Sequence, residues 1–168
     1  MRQIDRRAKA VWANTNLQMT SLYKPGGIGI VFIQSVAGQI KESGFDRKGR
    51  WAYQVFDSGS DFHSVVFSFY RCCKTSLQGT KTAYMQQRVL QSELGLRGSP
   101  LKWFQAELIK EIRRFQGKYG TNLRPYIFGD FNYDNHIETT INAICHEFKL
   151  VDIYSYLHPN TTKFNTYS

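Results

Sequence analysis

Apolar residues fall along the chain in short runs with two kinds of spacing. Residues 29–36 (GIVFIQSV), 51–57 (WAYQVFD) and 62–70 (FHSVVFSFY) are rich in β-branched and aromatic side chains and too short for helices, so each predicts a strand. Lys24-Pro25-Gly26-Gly27 ahead of the first run is a turn signal, and Ser58-Gly59-Ser60-Asp61 between the other two reads as a hairpin connection. Helical spacing then takes over. Thr80 to Glu93 offers a face of Tyr84, Leu90 and Leu94. The next helix is better marked: Ser99 as cap, Pro100 at the first position, then Leu101, Phe104, Leu108, Ile112 and Phe115, with Gly117 or Gly120 to end it. Tyr126 to Phe128 is a short apolar run and reads as a buried strand. A third helix is expected over Ile137 to Phe148, with Ile137, Ile141, Ile144 and Phe148 on one face and Asp134 or Asn135 as cap. Short strands near Val151 and Phe164 complete the pattern. The whole predicts an α/β fold with sheets covered by helices. In such folds chemistry sits at strand ends, which points to Tyr70-Arg71 and to Asp130-Phe131-Asn132.

Composition narrows the class. The 168 residues suit one domain, and 42% hydrophobic with 15% aromatic residues is not a disordered composition. No run approaches the roughly 20 apolar residues of a membrane span, so no membrane partner is expected. The basic start, MRQIDRRAKAVWANTN, lacks the apolar stretch of a secretory signal; Arg-rich, it also resembles a transit peptide, against which stand Asp5 and the lack of Ser. The net charge of +9 is front-loaded: residues 1–50 carry nine Lys/Arg against three Asp/Glu, residues 101–168 eight against seven. Residues 1–20 therefore read as a basic segment ahead of a domain over 21–168. A basic field attracts polyanions, which makes nucleic acid the expected partner, although a merely solvated basic face has the same composition. Cys72, Cys73 and Cys145 are odd in number and form no CxxC pair. Reduced buried thiols of an intracellular protein are expected, without structural zinc. Arg71 and Lys74 flank the adjacent pair and could lower a thiol pKa, but no histidine is placed to make a catalytic cysteine.

Gly129-Asp130-Phe131-Asn132 carries the sharpest signal. Gly129 permits a tight turn at the strand end, and in an extended segment Asp130 and Asn132 point to one side while Phe131 packs on the other. A carboxylate beside a carboxamide can orient a water near a divalent cation and take its proton. The same two residue types also make ordinary turn hydrogen bonds.

GDFN after an apolar strand, some sixty residues beyond a strand ending in Tyr-Arg, resembles the endonuclease/exonuclease/phosphatase superfamily. That group includes apurinic endonucleases, nuclease domains of non-LTR retrotransposons, DNase I-like enzymes and inositol phosphatases. YKPGGIGI looks like the superfamily's glycine-marked central strand. GRW, SFYR and the tail LVDIYSYLHPN with FNTYS also fit, so the likeness spans roughly residues 20 to 168. It implies a partial four-layer α/β sandwich of the DNase I type. It also implies metal-dependent phosphodiester hydrolysis of nucleic acid, with Mg²⁺ or Mn²⁺ as cofactor. Asp130 would be the acid–base carboxylate and metal ligand, Asn132 would position the attacking water or scissile phosphate, and Tyr70 would contact that phosphate. Arg71 is a chemically reasonable phosphate contact, or equally a salt-bridged surface residue. The family's upstream asparagine and metal-binding glutamate have no counterpart before Lys24, and its final Asp-His pair has none before Ser168. The resemblance thus implies a domain incomplete at both ends. Two further readings remain open: a non-catalytic remnant that binds nucleic acid, and a phosphomonoesterase of the same superfamily.

Overall fold

A computed structural model describes residues 8–14, 27–57, 59, 61–74, 82–132 and 137–159. It is a mixed α/β fold. Strands β1 (Lys9–Ala13) and β2 (Ile28–Phe32) form an antiparallel pair. A short helix α1 (Gln34–Gly38) leads to β3 (Ile40–Phe45), β4 (Trp51–Asp57) and β5 (His63–Tyr70). Helices α2 (Ala83–Glu93) and α3 (Pro100–Tyr119) cross over to β6 (Leu123–Asp130). The second sheet has the order β3-β4-β5-β6. Its first two pairings are antiparallel and β5–β6 is parallel. The chain divides into two compact units, residues 1–134 and 135–168. The second unit holds α4 (Ile137–Phe148) and α5 (Ile153–Leu157), with Ile144 and Phe148 buried.

Alternation along the strands decides what each sheet face meets. Val65, Phe67 and Phe69 of β5 and Trp51, Tyr53 and Val55 of β4 face α3. That helix answers with Phe104, Leu108, Ile112 and Phe115, all buried. Aromatic edges interlock there, with Phe115 at 4.8 Å from Tyr53 and 5.7 Å from Phe67 between ring centroids. Ser99 caps α3 by accepting from the Leu101 N–H, and Pro100 opens it, as the sequence predicts. At its far end Lys118 reaches Glu42 of β3 (2.5 Å), and Arg114 reaches both Glu42 and Tyr53.

The opposite face of the sheet is covered only in part. The β1–β2 pair lies there, β1 over β3 and β4, β2 over β4 and β5. Val11, Ala13 and Ile30 join Ala52 in a small core, and Phe32 meets Phe56 edge-on at 4.7 Å. Gln54 belongs to this buried face too, fully covered, and neither atom of its amide has a partner among the described residues. Tyr126 (44% exposed) and Phe128 (54% exposed) of β6 share the face but are not covered.

Several expectations change. Within the basic stretch 1–20, Lys9–Ala13 forms a strand that pairs with β2. The run 29–36 is strand only to Phe32, and its last residues enter α1. Strand β3 carries Lys41, Glu42, Ser43 and Gly44 and has no apolar run to announce it. The α2 helix buries Tyr84, Gln86, Gln87 and Gln91, while Leu94 is 57% exposed. A strand expected near Val151 is replaced by α5. The turn Lys24-Pro25-Gly26, the caps Asp134 and Asn135 and the strand near Phe164 lie outside the described residues, as do the side chains of Ile137 and Ile141.

A buried amide without a partner loses hydration and gains nothing, at a penalty of about 1–3 kcal/mol. Gln54→Leu is therefore expected to stabilise the chain by about 1–2 kcal/mol, read as a raised urea midpoint with an unchanged m-value.

Candidate functional site

The parallel register sets Tyr70 opposite Asp130, so both strands end at the same level. The pairing continues one step further, where the Arg71 N–H donates to the Asp130 carbonyl at 2.9 Å. Close approach is a condition of this geometry. A Cβ on Gly129 would run into the carbonyl oxygen of Phe69, so the position opposite Phe69 needs glycine.

Past the strand ends the two segments are stitched by side chains. The Arg71 guanidinium is 2% exposed, and its Nη1 donates to the carbonyls of Phe131 (3.1 Å) and Asn132 (2.9 Å). In return the Asn132 carboxamide donates to the Arg71 carbonyl at 2.6 Å, and its oxygen accepts from the Cys73 thiol at 2.8 Å. The Asn132 backbone N–H donates to Asp130 Oδ1 at 2.9 Å and holds the carboxylate. Phe131 packs edge-on against Phe69 at 4.2 Å. The Asn132 side chain lies close enough to the Tyr70 hydroxyl to oppose, weakly, the rise of its pKa. Burial, then the neighbouring thiols and the Asp130 carboxylate, push the Tyr70 phenol above its ordinary value, so it is a neutral hydrogen-bonding group at physiological pH.

Tyr70, Asp130 and Asn132 thus meet at one point, as expected from the sequence, but two details differ. Asn132 is not extended. Its φ of 44° turns it sideways toward β5, so its side chain does not run parallel to that of Asp130. Arg71 is neither a surface residue nor open to a phosphate. Burial and two backbone carbonyls make it the clamp beneath the site. Asp130 itself is exposed. Among the described residues no group of three or more His, Cys, Asp and Glu is placed to hold a metal.

Two features were not anticipated. Cys73 is exposed rather than buried and touches Asn132; its place three residues past Tyr70 gave no sign of this. Behind Tyr70 lies a small pocket that Arg50, Cys72, Gln86 and Gln87 help line. Arg50 there is buried between the rings of Trp51 (4.4 Å) and Trp103 (4.5 Å). It donates to Asp46 at 2.6 Å and also to Glu107, which Lys48 joins at 3.0 Å. Burial would raise the Glu107 pKa, but Arg50 and Lys48 outweigh it and hold the carboxyl low. Two cations thus face two anions, and the cluster is an internal brace with no charge left over for a ligand. It also supports the site, since the Tyr70 N–H donates to the Arg50 carbonyl at 2.8 Å.

No protein-family model, curated protein or solved structure matches the chain.

The three thiols are free, and their surroundings set their reactivity. Flanking cations do not lower Cys72, because burial dominates and pushes its pKa up to about 11. Iodoacetamide at pH 8 is expected to label Cys73 in the native chain and leave Cys72 intact until denaturant is added, as mass spectrometry of the digested chain would reveal. The linkage has a definite sign. A raised folded pKa favours the protonated thiol, so this stabilisation is complete below pH 9.0 and lost as pH rises toward about 11. The stability difference between the chain and Cys72→Ala should shrink across that window and nowhere below it.

Proposed function

We propose that the chain carries the hydrolytic corner of a metal-dependent phosphodiesterase of the endonuclease/exonuclease/phosphatase type, acting on nucleic acid. The observation that carries this reading is the convergence of Tyr70, Asp130 and Asn132 at the ends of two adjacent parallel strands. Sequence-distant polar groups meet there in the position where α/β sheets place their chemistry. A further support for the DNase I-like architecture is the layering, with α3 on one face of the four-stranded sheet and a second sheet on the other.

In this reading Asp130 is the exposed carboxylate that takes the proton of the attacking water. Tyr70 offers its hydroxyl to a phosphate oxygen. Asn132 is a positioning residue: its N–H fixes the carboxylate, and its carboxamide ties the Arg71 carbonyl and the Cys73 thiol to the turn. Arg71 secures the carbonyls of Phe131 and Asn132, so the strand-end turn keeps its shape. Asp130 would also be the protein ligand for Mg²⁺ or Mn²⁺, ions commonly held by one or two carboxylates together with water and substrate phosphate. When bound, such an ion supplies charge stabilisation to the phosphate under attack.

A second reading is nucleic-acid binding without cleavage. It is favoured by the single carboxylate that the described site presents, together with the chain's net charge of +9.

Nicking of supercoiled plasmid in Mg²⁺ separates the two. Under the first reading the purified chain nicks, a chelator abolishes nicking, Asp130→Ala lowers the rate by about 10²–10⁴-fold, and Tyr70→Phe lowers it by about tenfold. Salt-sensitive retention of the plasmid without nicking would decide for the second.

A further inference from the structure

Arg50 and Gln87 are buried side chains, each committed at one end and free at the other. The Arg50 guanidinium, 3% exposed, donates through Nε and Nη2 to Asp46 and through Nη2 to Glu107. Its Nη1 has no hydrogen-bond partner among the described residues. Gln87, 6% exposed, donates through Nε2 to the Lys48 carbonyl at 2.8 Å, and its Oε1 has no such partner. The committed ends fix the sense of the free ones. Carboxylates hold the guanidinium by its other two nitrogens, so Nη1 is a donor of set direction. The Lys48 carbonyl can only accept, so the amide cannot flip and Oε1 stays an acceptor. Gln54 differs, because its amide is loose at both ends.

Both residues line the pocket behind Tyr70, together with Cys72 and Gln86. The pocket offers about 20 Å³ to the centre of a water molecule, where one water needs roughly 10–15 Å³. Charge and hydrogen-bonding sense then select the occupant. Arg50 and Lys48 are matched by Asp46 and Glu107, so an ion of either sign meets no net attraction. An anion has no proton to give to Gln87 Oε1, and a cation meets the guanidinium. An apolar group would leave both buried atoms uncompensated, which is costly above all at a charged group. What fits is a small neutral group that accepts on one side and donates on the other.

We propose that this pocket binds one ordered water, which accepts from Arg50 Nη1 and donates to Gln87 Oε1. The water joins α2 to the β3–β4 connection, at the residue whose carbonyl takes the Tyr70 N–H. It gives the buried glutamines of α2 a purpose, since Gln86 and Gln87 then line a wet joint and not a dry core. The joint does not depend on the hydrolytic reading.

Crystallography of the full chain, at a resolution that shows ordered water and with a second crystal soaked in bromide, tests this. The expected result is a single density peak within about 3.2 Å of both Arg50 Nη1 and Gln87 Oε1, without anomalous signal after the soak. A direct Arg50–Gln87 hydrogen bond, a side chain in the space or a site without density would overturn the proposal. An anomalous bromide peak would overturn it as well, by making the pocket an anion site. In solution, oxygen-17 relaxation dispersion counts long-lived waters. Gln87→Met keeps the side-chain length and removes the acceptor, so it should lose one such water relative to the wild-type chain. Equal counts in a variant with an unchanged circular dichroism spectrum would count against the bridge. Should the variant fail to fold, the wild-type crystals decide.

Discussion

The parallel pairing of β5 with β6 is the constraint on which the arrangement depends. Parallel neighbours cannot be joined by a tight turn, so the chain must cross from one end of the sheet to the other between them. That crossing is made by α2 and α3, and the aromatic face of α3 turns it into the main core. The same pairing brings two carboxyl ends together, leaving carbonyls that no further strand residue serves. Arg71 answers that need from the end of β5, spending its Nη1 on the carbonyls of the facing segment. A guanidinium can hold two such acceptors at once, whereas the shorter-reaching and freely rotating ammonium of lysine would fix neither direction.

Two buried arginines are thus used in different ways. Arg50 is matched by Asp46 and Glu107 and sandwiched by two indoles, an arrangement in which the desolvation of the cation is offset by near, oriented carboxylates. Arg71 is matched by backbone dipoles at the turn that carries Asp130. Removing the Asp46 carboxylate would leave the buried Arg50 with Glu107 alone, while removing the Asn132 carboxamide would release the carbonyl of Arg71 and the Cys73 thiol together. The first is a loss of scaffold and the second a loss of site, although both act within the same end of the sheet.

What could be read from the sequence follows from the range of the interactions. Strand β4 was legible to the residue, as were the cap and first proline of α3, because alternation and capping are decided within a few residues. The convergence of Tyr70 with Asp130 and Asn132 was also legible, through strand ends and the GDFN signal. Strand β3 was not, since Lys41, Glu42 and Ser43 give no apolar pattern; its place is set by pairing with β4. The glutamines of α2 were misjudged for a similar reason. Gln87 is buried because its amide donates to the Lys48 carbonyl, a partner 39 residues away. Arg71 looked like a phosphate contact because its chemistry allows that, and only the turn at Asn132 shows where its donors are used.

Coverage of the sheet is unequal, and that inequality places the site at a boundary. On the α3 side the rings of Phe67, Phe69, Phe104 and Phe115 are fully or nearly fully buried, and such close packing resists displacement of β5. On the other side the β1–β2 pair shelters β4 but stops short of the rings of β6. Asp130 therefore projects from a strand that is rigidly backed on one face and open on the other. A carboxylate in that position keeps its direction, through the bond from Asn132, without being desolvated by neighbours. Preorganisation and access usually oppose each other, because the packing that fixes a group also hides it. Here the turn and its clamp do the fixing, so the face itself can remain uncovered.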